Sequence, residues 1–160
     1  MSTESRSSKR KLLGEILVEE GFLNARDIET ALKVQKKDGG LIGRILVRMG
    51  LITEEDLVFA LSKQLSIPYI RLGNYSVNRD ALRLIPQEIA ERYLFFPFEE
   101  AENTISLAMS DPLNTEALEA IEKRVPSRVQ IFLATFTEIK DAIAAYYVEE
   151  IQAKEQRSGK

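Results

Sequence analysis

The 160-residue chain contains no cysteine and no histidine. Without thiols or imidazoles it cannot build a Cys/His metal site, a cysteine nucleophile, a histidine general base or a Ser-His-Asp triad. Its one Gly-Lys pair is Gly159-Lys160 at the last two positions, so the phosphate-cradling Gly-x-x-x-x-Gly-Lys-[Ser/Thr] loop is absent and nucleotide hydrolysis by these residues alone is excluded. A basic surplus is also lacking. The net charge is -3 and the pI near 5.2, the opposite of the concentrated positive field that holds nucleic acid. No apolar run is long enough to cross a membrane. The start, from Met1 to Lys11, is basic like a signal peptide, but the apolar stretch behind it meets Glu15 too soon. The expected location is cytoplasmic, with no nucleic-acid partner and no membrane insertion.

What is present describes a folded body. Apolar residues make up 44% of the chain and charged residues 29%, while glycine and proline together fill only 13 positions. That composition and length suit one domain or two small ones.

The strongest internal signal is a duplication. Residues 12–35 (LLGEILVEEGFLNARDIETALKVQ) realign without a gap on residues 41–64 (LIGRILVRMGLITEEDLVFALSKQ) at an offset of 29, with ten of 24 pairs identical. Composition alone would give about one or two. Each copy reads as a short apolar helix closed by Gly21 or Gly50 and a second helix opened by Asn24 or Thr53. Asp27 and Asp56, three residues further on, complete the spacing of a capping box and place a carboxylate where the helix dipole favours it. Ile28, Ala31, Leu32 and Gln35 then fall at i, i+3, i+4 and i+7, matched by Leu57, Ala60, Leu61 and Gln64. A glutamine closing each apolar stripe has two readings. It bonds free carbonyls at the helix end or in the linker, or it presents an amide beside exposed backbone to a planar ligand. Gly14 and Gly43 likewise read as close-packing or turn positions, or as a place where a ligand approaches the backbone. The spacer 36–40 joins the copies. Two copies are too few for a solenoid and should pack together as one helical subdomain.

After Ile67-Pro68 the pattern changes. Tyr69 to Leu72 predicts a short strand and Gly73-Asn74 a turn; Asn78 opens a helix to Ile85, and Pro86 starts another from Gln87 to about Tyr93. Leu94 to Phe98 and Thr104 to Met109 predict a β-hairpin with a longer loop over 99–103, and Pro97 marks its first strand as an edge or a bulge. A helix from about Thr115 to Lys123, a strand from Val129 to Ala134 and a last helix opened by Thr135 and Glu138 and running to about Ile151 complete the module. The expected fold class is α+β: a lead-in over 1–11, the duplicated helical subdomain over 12–66, a small mixed-sheet α/β subdomain over 67–151 with helices on one face, and a disordered tail over 152–160. The carboxylates Glu99, Glu100, Glu102 and Asp111 suit turns and caps better than acid-base catalysis. Tyr146-Tyr147 and Phe95-Phe96 suit a core. No metal site, cofactor or catalytic residue is expected.

The paired 24-residue unit, together with Ile67-Pro68-Tyr69, Leu84-Ile85-Pro86 and Ala108-Met109-Ser110-Asp111-Pro112, resembles the MshEN or GspE N-terminal domain over about residues 12 to 147. That family precedes the motor of type II secretion and type IV pilus assembly ATPases, and a subset binds cyclic di-GMP. The resemblance implies a non-catalytic regulatory or docking module, with a protein of a secretion or pilus machine or a motor ATPase as partner. Alternatively it implies a cyclic di-GMP receptor whose candidate residues are Leu12, Leu13, Gly14, Leu17, Ile28, Leu32 and Gln35 in the first copy. Leu41, Ile42, Gly43, Leu46, Leu57, Leu61 and Gln64 are the set in the second; the motif also covers Val18 and Val47. Where the binding subset begins each motif with arginine, this chain has Leu12 and Leu41. A lost charge-assisted contact is worth about 1.5 to 3 kcal/mol, which weighs toward docking.

Overall fold

The computed structural model describes residues 11–147 together with Glu155 and Gln156. Two compact units meet in sequence between Ile67 and Pro68.

The first unit is built from the repeat. Each copy supplies a seven-residue helix and a longer one: α1 (Leu13–Glu19) and α2 (Ala25–Asp38), then α3 (Ile42–Arg48) and α4 (Glu54–Leu65). Gly21 and Gly50 close the short helices at φ +82° and +75°, left-handed values that side chains resist. Both capping boxes form. Asn24 Oδ1 accepts from the Asp27 amide at 2.9 Å while Asp27 Oδ2 accepts from the Asn24 amide at 3.1 Å, and Thr53 and Asp56 repeat the exchange at 3.1 and 3.0 Å. The packing is crossed: α1 lies on α4 and α3 lies on α2, so each short helix covers the long helix of the other copy. Neither copy can bury its stripe alone. Together Ile16, Leu17, Ala31, Ile45, Leu46, Leu57 and Ala60 form one core, which explains a duplication that stops at two.

The second unit is a three-stranded mixed sheet of order β1-β2-β3, with β1 Phe95–Ala101, β2 Thr104–Met109 and β3 Arg128–Leu133. β1 and β2 are antiparallel, and β2 and β3 are parallel across α7 (Thr115–Glu122). Pro97 is both on an edge strand and at a register shift between Pro97 and Glu99, where a missing N–H costs no ladder bond. The hairpin loop is shorter than expected: β1 continues to Ala101, and Glu102 and Asn103, at φ 49° and 61°, make a two-residue turn whose hand suits the strand twist.

Helices cover both faces of the sheet, a correction to the one-faced arrangement expected. Phe96, Phe98 and Ala108 pack with Leu82 of α5 (Arg79–Leu84), Ala90 of α6 (Gln87–Tyr93) and Ile139 of α8 (Phe136–Ala142). Phe95, Ile105, Leu107 and Met109 pack on the opposite side with Ala117 and Ile121 of α7. The strands read as near-continuous apolar runs for that reason. The strand expected over Tyr69 to Leu72 reduces to one bridge, Tyr69 to Leu133. The ladder stops because the Leu72 amide donates to Glu138 Oε2 at 2.9 Å and Leu72–Asn74 turns into a 3-10 helix. The last helix widens to a π turn over Ile143–Tyr147; residues 148–151 of the expected helix lie outside the described residues. Within the tail expected to be disordered, Glu155 and Gln156 are helical, in keeping with the helix propensity of both, and the remainder is not described.

Candidate functional site

Helices α1 and α2 wall a groove of about 740 Å³ in the first unit. Eight of the fourteen candidate residues line it: Leu12, Leu13, Gly14, Ile28, Leu32, Gln35, Ile42 and Gln64. The other six lie elsewhere. Leu17 and Leu46 are wholly buried and Leu57 nearly so, part of the core. Gly43 is buried beneath Leu57, Leu61 packs against the core, and Leu41 stands exposed ahead of α3.

Both glutamine amides are engaged by backbone. Gln35 Nε2 donates to the Gly40 carbonyl at 2.9 Å, and Gln64 Nε2 donates to the Lys11 carbonyl at 3.2 Å. Positions 11 and 40 are themselves 29 apart, so each amide pins the residue that leads into the other copy. That is the linker-bonding role weighed for the pair. Gly14 and Gly43 are close-packing positions inside α1 and α3, where a Cβ would stand 2.7 Å from Ile28 and 2.5 Å from Leu57.

The groove also holds Val18 of the motif and residues that the motif did not single out: Glu15, Glu19, Glu29 and Ala25. Among the described residues no lysine or arginine lines it. Glu19 is paired with Lys11 at 2.6 Å, and that hydrogen bond holds the Lys11 ammonium above its ordinary pKa. The signal for these residues lay in the pairs where the copies differ. Glu15 and Glu19 of α1 correspond to Arg44 and Arg48 of α3, an inversion of sign on one scaffold. Leu12, Val18 and Leu32 remain exposed on the walls, so the groove offers an apolar surface edged by carboxylates. It suits apolar or cationic groups and opposes phosphate.

The second unit carries a smaller cavity of about 470 Å³ between α6 and α7, lined by Arg92, Lys123 and Arg124 as well as Glu116 and Glu119. Its mixed charges select no ligand chemistry. Among the described residues no group of acidic side chains is placed to hold a metal ion, and no helix is long and apolar enough to cross a membrane.

The crossed helices and the small mixed α/β module recur in two solved proteins. The chain is 34% identical to a protein solved as MshE with cyclic di-GMP, at a TM-score of 0.77, covering 86% of this chain and all of that one. The N-terminal domain of XpsE shares the fold at a TM-score of 0.66 and 19% identity, covering 82% and 91% of the two chains. The type IV pilus assembly ATPase PilB of Myxococcus xanthus is 35% identical over 137 residues, which is 86% of this chain but 24% of PilB. The MshEN domain family matches residues 65–153, and the chain belongs to that family. It spans about a quarter or less of the pilus ATPases it matches, and it shares the fold of the solved XpsE N-terminal domain.

Proposed function

We propose that the chain is a non-catalytic regulatory and docking module of a type IV pilus or type II secretion machine. It acts in the cytoplasm by binding a protein of that machine or its motor ATPase. The observation that carries this reading is the groove on α1 and α2, apolar on its walls and edged by Glu15, Glu19 and Glu29, with no cation among the described residues that line it and Lys11 paired to Glu19 at its edge. A surface of that kind suits an apolar or basic protein segment. It repels the phosphates of a cyclic dinucleotide, since like charges about 4 Å apart cost about 1 kcal/mol even in bulk water. Leu12 and Leu41 at the heads of both motifs remove the arginine contacts as well.

A cyclic di-GMP receptor is the second reading. It is favoured by the likeness to MshE, solved with that ligand, and by the gathering of eight motif residues along one groove. Calorimetry separates the two. The native chain is titrated with cyclic di-GMP, with the motor domain of the pilus ATPase and with the cytoplasmic part of the inner-membrane platform protein. The docking reading expects silence to millimolar dinucleotide, micromolar heat with one of the proteins, and recovery of dinucleotide binding in a Leu12→Arg, Leu41→Arg variant. Stoichiometric dinucleotide binding by the native chain, lost in Gln35→Ala with Gln64→Ala, would establish the receptor instead.

A further inference from the structure

Among the described residues of the first unit, six large apolar side chains stand exposed. Three of them, Leu12, Val18 and Leu32, line the acidic groove. Two others, Leu41 and Met49, flank α3, whose exposed edge carries Arg44 and Arg48 while Gly43, Ile45 and Leu46 are buried. The sixth, Phe59, is accounted for by its edge contact with Phe22 and the Lys63 ammonium above its ring. The other exposed apolar side chains of this unit therefore fall into two groups, one along the groove and one flanking α3, whose Ile42 also reaches the groove. The first is accompanied by Glu15 and Glu19 and the second by Arg44 and Arg48, each pair four residues apart on a seven-residue helix.

We propose that these two groups are the halves of one interface, in which the acidic groove of one chain receives the exposed edge of α3, Arg44 and Arg48, from a second copy. The spacing within each charged pair is four residues, about 6 Å along the axis, so both ion pairs register at once. Leu41 and Met49 are then offered to the exposed leucines of the groove. The exposed pair of Glu19 with Lys11 is weak enough to exchange. A contact between like faces is disfavoured, because it would set carboxylate against carboxylate or guanidinium against guanidinium. The association is accordingly head to tail, in which each chain keeps one face unfilled and further copies can add.

The inference rests on reading the groove as a protein-docking surface, and its test uses neither cyclic di-GMP nor a machine protein, so the two can fail separately. Sedimentation velocity on the native chain should show a mass that rises from 18.1 kDa with concentration and does not level off at a dimer. Glu15→Arg with Glu19→Arg should leave the chain monomeric over the same range, and so should Arg44→Glu with Arg48→Glu. Mixed in equal amounts, the two variants should recover association that grows with concentration, because the acidic groove of one receives the basic α3 of the other and the reversed, basic groove receives the reversed, acidic α3. These side chains are exposed, and the milder Glu15→Gln, Glu19→Gln variant, expected to weaken association about tenfold, covers any loss of folding. A native chain that stays monomeric, a mixture that stays monomeric, or variants that associate as the native chain does would each overturn the proposal and leave the groove to a different protein.

Discussion

Gly43 lies so close to Leu57 that a methyl on its Cα would stand 2.5 Å from Leu57 Cδ1 and 3.2 Å from Cδ2. Its counterpart Gly14 meets only Ile28, at 2.7 Å from Cδ1, and Ile28 borders the open groove. The same substitution should therefore have different outcomes in the two copies. Alanine improves helix propensity by about 1 kcal/mol at either site. Overpacking costs about 1 to 3 kcal/mol where the neighbours cannot move, as for buried Gly43, whereas the Ile28 methyl can swing into the groove. Urea unfolding should show Gly43→Ala destabilised by about 1 to 2 kcal/mol and Gly14→Ala within about 0.5 kcal/mol of the native chain. Equal losses at both sites would mean that the two copies are packed alike.

The paired capping boxes make a second comparison. Asn24 and Thr53 each accept one first-turn amide, and Asp27 and Asp56 return the bond. Replacing either cap by alanine should cost about 1 kcal/mol, read as a lower urea midpoint with an unchanged slope. Because α2 and α4 share one core with α1 and α3, the loss should appear in far-ultraviolet circular dichroism as one cooperative transition of the helical unit. A variant whose α2 signal melts separately from that of α4 would contradict the shared core.

Much of this was legible in the sequence, and the reason is local. Offsets, caps and closing glycines are short-range features, so the repeat, its four helices and both capping boxes follow from residues within a few positions of each other. The signals that failed were those settled by distant partners. Tyr69 to Leu72 has the residues of a strand, but the Leu72 amide is captured by Glu138 from far along the chain. The second covered face of the sheet needs α7 laid against Phe95 and Met109, which no local pattern records. In the candidate site, the motif led to the leucines, isoleucines and glutamines that line the groove. It did not lead to Glu15, Glu19 and Glu29, because a repeat search rewards identity and these are positions where the copies differ.

Glu138 joins three elements of the second unit. Its carboxylate accepts from the Leu72 amide and the Thr135 hydroxyl, both at 2.9 Å, and lies 3.5 Å from the Tyr69 hydroxyl, while its own amide donates to Thr135 Oγ1 at 3.1 Å. Removing the carboxylate leaves the Leu72 N–H and the buried Thr135 hydroxyl without that acceptor. Glu138→Ala should cost about 1.5 to 3 kcal/mol, in the range for hydrogen bonds to a charged group. Glu138→Gln, which keeps an acceptor oxygen, should lose about half of that. Hydrogen exchange offers the sharper reading: the Leu72 amide should lose protection in Glu138→Ala while the Ile70 amide, bonded to the Leu133 carbonyl at 2.9 Å, keeps it.

Tyr147 gives the fold its expected alkaline sensitivity. The ring is 4% exposed, its hydroxyl donates to the Ile85 carbonyl at 3.0 Å, and burial raises its pKa well above the ordinary 10.0. Below pH 10 the phenol is protonated in the folded and unfolded chains alike and contributes no pH dependence. Above pH 10 the unfolded chain ionises first, so folding must hold a proton that the unfolded state releases, and stability falls by up to about 1.4 kcal/mol per pH unit. Tyr147→Phe removes both the hydrogen bond and this slope. At pH 8 the variant should be less stable by about 1 kcal/mol for the lost bond. The gap should shrink as the pH rises and close near about pH 11, where the ionisation penalty of the native chain equals the bond it keeps. Urea midpoints of the two proteins across that range check the crossing, and the other ionising side chains, common to both, cancel in the difference. A gap that stays constant from pH 8 to 11 would mean that the Tyr147 phenol ionises in the folded chain as readily as in the unfolded one.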